Sequence, residues 1–281
     1  MFNLKTIRTL QIFFKKNKSK VNFVHVDLLN SFKIKFKNKK DFTKKHFELM
    51  KLCTNNSILW FPTFNYQFTK NRKFNLAKDN SETGSFTELF RVFFSKWRTE
   101  TPIFNIVGDG TMPGLKIKKN SLINPFDKTS FFHLLYKMKS NIFFYGTEIN
   151  SGSFIMYVEE TMRNGILYKY KKLIKGEIYY KKRKKKVTLN LSVRPLAQKF
   201  PVEYNWKKIE YHLRKKKLFL KIQKNNKKFG VLNLKKTTDY LQKKIKKDPF
   251  FLLNSRSKRW LKKFYKLNKR GILLNDFEKN I

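Results

Sequence analysis

The residue order predicts an α/β protein: a mostly parallel central sheet flanked by helices, with antiparallel hairpins and basic extensions in the C-terminal half. Three observations carry this. Up to about residue 160, short apolar runs of strand length alternate with helically spaced apolar residues, the order that builds parallel sheets with crossover helices. Beyond that point come pairs of partly alternating segments, as in two-stranded ribbons. The charge also divides: residues 1–40 hold eleven basic and one acidic residue, 41–160 sixteen and eleven, and 161–281 thirty-eight and seven. A near-neutral middle therefore lies between two basic ends.

The opening Met1–Lys20 is acid-free and mixes Phe, Leu and Ile with Lys and Arg. That is the make-up of a mitochondrial presequence, and equally of a basic arm lying on RNA. Val21–Leu29 reads as a buried strand, Phe42–Cys53 as a helix entered after Asp41, and Ser57–Phe64 as a strand broken by Pro62. Phe86, Leu89, Phe90, Phe93 and Phe94 give helical spacing to Phe86–Trp97, with turn and cap chemistry in Thr83-Gly84-Ser85. Gly108, Gly110 and Gly114 mark a loop; Phe126–Met138 is helical, Asn141–Tyr145 is a strand ended by Gly146, and Ser153–Met162 is helical again. Ile166–Ile174 and Val187–Val193 read as a ribbon, with the run Lys181–Lys186 just before its second strand. Trp206–Lys216 is a helix, Leu218–Gln223 and Phe229–Leu234 a hairpin, Thr237–Ile245 a helix, and the tail from Asp248 basic and aromatic. The expected division is a basic arm over 1–20, an α/β core over 21–200 whose basic hairpin starts near 166, and a basic extension over 201–281.

Sixty-five Lys and Arg against nineteen Asp and Glu give the 281 residues a formal net charge of +46. Such a charge opposes compaction unless a polyanion neutralises it, which points to nucleic acid or another dense anion. Thirty Phe, twelve Tyr and four Trp within 41% apolar residues supply a real core and argue against disorder. Cys53 stands alone, which excludes an intramolecular disulfide and a cysteine-built zinc site. His25, His46, His133 and His212 are scattered without ligand spacing, so no metal is expected. No apolar run reaches the ~18 residues of a membrane helix. Usage leans to Phe, Lys, Asn and Ile, with Ala77 and Ala197 the only alanines, as in an AT-rich organelle genome. Codon bias does not explain why Lys outruns the acids at the ends and barely in the middle.

Several segments, in order, resemble the aminoglycoside 3-N-acetyltransferase family, whose members move acetyl from acetyl-CoA to an aminosugar amine. Val24-His25-Val26-Asp27 resembles the family's first strand and turn, and Leu59-Trp60-Phe61-Pro62-Thr63-Phe64-Asn65-Tyr66 its strand ending in Pro-Thr-Phe. Thr83-Gly84 followed by Glu88-Leu89-Phe90-Arg91 is similar to its Gly-x-x-x-Glu-x-x-Arg helix entry. Trp97-Arg98-Thr99-Glu100-Thr101-Pro102-Ile103-Phe104 is similar to its Arg-Ser/Thr…His-Pro segment, and Phe144-Tyr145-Gly146 with Phe154, Tyr157 and Glu159-Glu160 to its last strand and helix. The resemblance spans about residues 20–200. It implies a general-base histidine before the Pro of the fourth motif, where this chain has Thr101; the neighbouring Glu100 is the fallback. It also implies a CoA-side turn at Val26 and Asp27, where the family has small hydroxyl residues, and makes Arg98 and Thr99 the other candidates for a vestigial pocket. Glu159 and Glu160 are helix neighbours, so at most one can face a pocket.

The candidate RNA-binding residues are Lys181, Lys182, Arg183, Lys184, Lys185 and Lys186, then Arg214, Lys215, Lys216 and Lys217. The tail adds Arg256, Lys258, Arg259, Trp260, Lys262, Lys263, Lys266, Lys269 and Arg270. Trp260 and Phe264, four apart, share a helix face that either packs on the domain or stacks on unpaired bases. The function expected is a non-catalytic acetyltransferase-fold protein that binds ribosomal RNA, beside neighbouring ribosomal proteins, in an organellar ribosome of the mitochondrial matrix. It would use no cofactor and no metal. The alternative is an active N-acetyltransferase dependent on acetyl-CoA.

Overall fold

Two β-sheets organise the chain in the computed structural model, which describes residues 4–112, 114, 118–162, 166–195, 202–273 and 276–277. In chain order the elements are α1 (Leu4–Lys16), β1 (Val21–Val26), α2 (Lys39–Cys53), β2 (Ile58–Pro62), α3 (Phe68–Asn71), β3 (Lys73–Asn75) and α4 (Ser85–Phe93). There follow β4 (Ile106–Gly108), β5 (Ser121–Ile123), α5 (Phe131–Lys137), β6 (Asn141–Tyr145), α6 (Phe154–Thr161), β7 (Tyr170–Tyr180) and β8 (Arg183–Val193). The chain continues through α7 (Trp206–Lys215), β9 (Phe219–Lys224), β10 (Lys227–Asn233), α8 (Leu234–Lys247) and α9 (Ser255–Asn268).

The central sheet runs β4-β2-β1-β6-β10-β9. Its middle is parallel, β1 pairing with β2 and with β6, and its flanks are antiparallel, so the sheet is mixed. All five residues of β6 are buried, because helices cover both faces at the centre. On one face Phe23, Ile142, Phe144 and Leu232 join a core built with α5, α6, α7 and α8. On the other, Val24, Phe143, Tyr145 and Val231 meet α1, α2 and α4. The second sheet, β3-β7-β8-β5, packs Ile174, Ile178, Val187 and Leu189 onto the first of these cores.

Several expectations change at this level. Residues 4–16 of the supposed basic arm form α1, whose Ile7, Leu10 and Phe14 are buried, with Phe14 5.4 Å from Phe143 edge to face. Residues 219–233, assigned in sequence to the C-terminal extension, supply two strands of the central sheet, with Val231 opposite Phe143. Without β10, the open edge of β6 would expose the unpaired backbone of a wholly buried strand. The change of charge near residue 160 therefore marks surface, not a boundary of the fold. The run 181–186 does not precede its strand. Lys181 and Lys182 make the turn, Lys181 with φ 53°, and Arg183–Lys186 already belong to β8. Helix α5 starts later than expected because Ser130 caps it, accepting from the His133 N–H at 3.2 Å.

Candidate functional site

The motif residues form an internal scaffold at the C-terminal end of β2. Arg98 is buried over the Phe74 ring at 4.9 Å, and its guanidinium donates to Asn105 Oδ1 (2.6 Å) and to the carbonyls of Thr63 (2.8 Å), Leu76 (3.3 Å) and Asp79. Burial, reinforced by nearby Arg91, lowers its pKa to about 9, so it stays cationic at neutral pH. Thr99 is fully buried, its Oγ1 accepting from the Ile106 N–H at 2.9 Å. Glu88 holds Arg91 through a two-pronged pair at 2.8 and 2.6 Å at the start of α4. These bonds tie the segment together within the chain, bracing β2 against β4 and α4.

The turn after β1 is equally closed. His25 is buried, stacked on Phe144 at 5.6 Å and edge-on to Phe23; its Nε2 has no partner among the described residues, and burial lowers its pKa to about 3. The Asp27 carboxylate accepts from the Leu29 N–H (3.0 Å) and from Asn30 Nδ2 (3.1 Å). Gly146 (φ +74°) passes so close that a Cβ there would lie 1.8 Å from the Asp27 carbonyl oxygen. Only glycine fits both that approach and that backbone angle.

Thr101 and Glu100, though adjacent, line different clefts. Thr101 faces a cleft of about 410 Å³ with Lys118, Ser121, Asn124, Thr129 and Ser130. Among the described residues no imidazole or carboxylate lines it. Glu100 faces a cleft of about 500 Å³ with Arg91, Trp97 and Tyr180, where Lys185 Nζ grips its carboxylate at 2.6 Å. The structure therefore places the fallback base, Glu100, in a different cleft from Thr101, which holds the family's histidine position. His46 and His133 lie elsewhere: Nδ1 of each sits 2.9 Å from a tyrosine hydroxyl, Tyr145 and Tyr157 respectively. Burial lowers the pKa of His46 to about 4. The described residues contain no cluster of three His, Cys, Asp or Glu able to hold a metal, and no helix long and apolar enough to cross a membrane.

The candidate RNA-binding cations occupy three separate elements. At the β7–β8 turn Lys181, Lys182, Arg183, Lys184 and Lys186 are exposed, Lys184 pairing with Glu177 at 2.7 Å, while Lys185 turns back to Glu100. At the end of α7 Arg214, Lys215, Lys216 and Lys217 are exposed. On and after α9 Arg256, Arg259, Lys262, Lys263, Lys266, Lys269 and Arg270 are exposed, with Arg270 paired to Asp276 at 2.8 Å; Lys258 is half-buried on Asp248 at 2.6 Å. Trp260 is half-buried against Phe264 and Phe277, with ring centres 5.6 and 6.1 Å away. A basic cleft not foreseen in sequence, of about 480 Å³, gathers Arg72, Lys73, Asn120, Lys175 and Lys186. Its members come from four segments joined by the pairings β3–β7, β7–β8 and β5–β8.

The model of the family described as aminoglycoside 3-N-acetyltransferase matches residues 49–246, more than half of the chain, from within α2 to the end of α8. The chain belongs to this family. Solved structures share the fold. The aminoglycoside acetyltransferase AAC(3)-IVa apoenzyme aligns with a TM-score of 0.62 at 11% identity, over 89% of this chain and 90% of that one. AAC-IIIb, solved as a binary complex with CoASH, aligns with a TM-score of 0.63 at 9% identity, over 86% and 96%. The YokD protein from Bacillus subtilis aligns with a TM-score of 0.61 at 13% identity, over 85% and 98%. No curated protein matches the sequence.

For a member of this acetyltransferase family, the residues at the motif positions fit CoA poorly. The Arg98 guanidinium is held by four acceptors of the chain, Thr99 is buried, and the turn after β1 presents the Asp27 carboxylate, which repels a phosphate.

Proposed function

We propose that this acetyltransferase-family protein is a non-catalytic, structural component of a mitochondrial ribosome that binds ribosomal RNA. The observation that carries the reading is the state of its cations. Arg256, Arg259, Lys263 and Lys266 are exposed and share one face of α9, a helix without a single acid. Carboxylates that could offset the surplus are already committed to internal pairs, as Glu159 is to Lys169, Glu100 to Lys185 and Glu210 to Lys221. A surface of this kind neutralises phosphates and releases counterions with little regard to base sequence.

Thr101 supports the same reading from the other side. General-base catalysis needs a group that titrates near neutral pH beside the nucleophile, and a threonine hydroxyl does not. Losing such a group costs roughly 10²–10⁴ in rate. The test is sedimentation of native extract through a sucrose gradient. The protein is expected to travel with ribosomes and to leave that fraction after RNase; recovery free of RNA at moderate salt would remove the reading.

A second reading keeps acetyl transfer from acetyl-CoA to an aminosugar. The family match, and the shared fold with AAC-IIIb in its CoASH complex, favour it. Saturable heat on calorimetric titration with acetyl-CoA, with acetylation of an amine, would establish it, and a flat titration would end it.

A further inference from the structure

We propose that the cleft between α7, the start of β9 and the 3-10 turn Ile149–Ser151 is a site for an unpaired RNA nucleotide, the base lying on Tyr211. The inference rests on the RNA-binding reading above and adds a strand preference to it. The cleft encloses about 830 Å³, within the range of small-molecule sites. Its walls include Trp206, Lys207, Tyr211, Arg214, Lys215 and Lys221.

Three features select a nucleotide. Tyr211 is 60% exposed; His212 meets its ring edge-on and the Lys215 ammonium lies over one face, so a base takes the opposite face or displaces that flexible side chain. An aromatic face takes any base, and such stacking is sequence-tolerant. The cleft is cationic in effect, because its two carboxylates are neutralised locally: Glu210 by Lys221 at 2.9 Å, and Glu148 by Lys228 at 2.8 Å. Lys207 and Lys215, by contrast, have no carboxylate partner among the described residues. Lys215 lies 5.9 Å from the Tyr211 ring centre, so a base on that ring would carry its phosphate toward an ammonium that lacks a counter-charge. Lys207 enters at the first turn of α7, where no acid competes. A duplex keeps its bases stacked and cannot offer one to Tyr211, so the cleft discriminates single strands from duplex.

The test uses the full chain, a fluorescein-labelled ten-nucleotide oligo-uridine, and a duplex RNA of similar length. Tyr211→Ala is expected to weaken single-strand binding about tenfold and leave duplex binding unchanged, while Tyr211→Phe, which keeps the ring, binds like the parent. Lys215→Gln should lower the single-strand salt slope by about 0.7. Because Tyr211 is largely exposed, the variants should melt with the parent, which separates a binding loss from a folding loss. Equal single-strand affinity in parent and Tyr211→Ala, with duplex binding intact, overturns the inference and leaves the RNA reading standing. A parent protein that binds neither RNA overturns both.

Discussion

Arg98 carries four acceptors and an aromatic ring on one side chain, so its removal leaves the carbonyls of Thr63, Leu76 and Asp79 and the amide of Asn105 short of a donor inside the protein. Orphaned buried acceptors cost about 1–3 kcal/mol each before relaxation. Arg98→Ala should therefore lose about 3–5 kcal/mol in urea unfolding, and Arg98→Lys most of that, since a single ammonium cannot reproduce the fork. An Arg98→Ala protein that unfolds at the parental urea midpoint would show that the guanidinium is not a brace. The buried histidines give a second residue-scale expectation. His25 and His46 are held neutral, with pKa values of about 3 and 4 against 6.5 in an unfolded chain. The unfolded state therefore takes up protons first as pH falls below about 6.5, and stability falls with it. The stabilisation is complete above that pH, and at pH 5 each histidine subtracts about 1–2 kcal/mol. Thermal melts at pH 7.5, 6 and 5 should descend in that order, and a level series would refute the neutral assignment. The Arg-Thr spacing was legible because it lies within one short segment. The pairing of Glu100 with Lys185 was not, because 85 residues separate them and only the fold of β8 closes the gap.

Strands of five or six mostly apolar residues announced themselves: Val21–Val26 and Asn141–Tyr145 are wholly or nearly buried, and such strands read as nearly continuous apolar runs. The three-residue strands β3, β4 and β5 were invisible, being shorter than any period can reveal. Helix α1 hid in plain view, since an amphipathic helix with lysines outward has the composition of a leader or an RNA arm. Its buried Ile7, Leu10 and Phe14 become meaningful only beside Phe143. The family resemblance located the core through residue 200, yet β10 lay beyond it because no motif marks that strand. Helix α9 separates two roles that its sequence interleaves. Changing Arg256, Arg259, Lys263 and Lys266 together to Gln should leave the melting temperature near the parent's while weakening RNA binding. The salt slope should drop by about 0.7–0.9 for each phosphate that is no longer neutralised. Trp260→Ala should do the reverse, lowering stability by about 1–3 kcal/mol as the packing on Phe264 and Phe277 disappears, with the salt slope kept. If Trp260→Ala instead weakened RNA binding at unchanged stability, the ring would be a stacking platform and its inward packing incidental.

At the scale of the whole molecule, the formal charge of +46 acts on folding and on binding with opposite salt dependence. Self-repulsion among surplus cations raises the free energy of the compact state more than that of the expanded chain, and salt screens it, with a Debye length of about 10 Å at 0.1 M. Raising sodium chloride from about 50 mM to about 500 mM should therefore raise the melting temperature of the isolated protein. The same salt competes with RNA for the cations, so affinity for ribosomal RNA should fall steeply over the same range, along a straight line of log affinity against log salt. RNA at low salt should in turn stabilise the fold, because a ligand that prefers the native state raises its melting temperature by mass action. The two melting curves should converge: at low salt the RNA complex melts above the free protein, and at high salt screening gives the free protein what its partner no longer supplies. A melting temperature indifferent to salt and to RNA would mean that the cations are already matched within the chain. The surface pairs argue otherwise, because Arg256, Arg259, Lys262, Lys263 and Lys266 are exposed along a helix with no acid of its own.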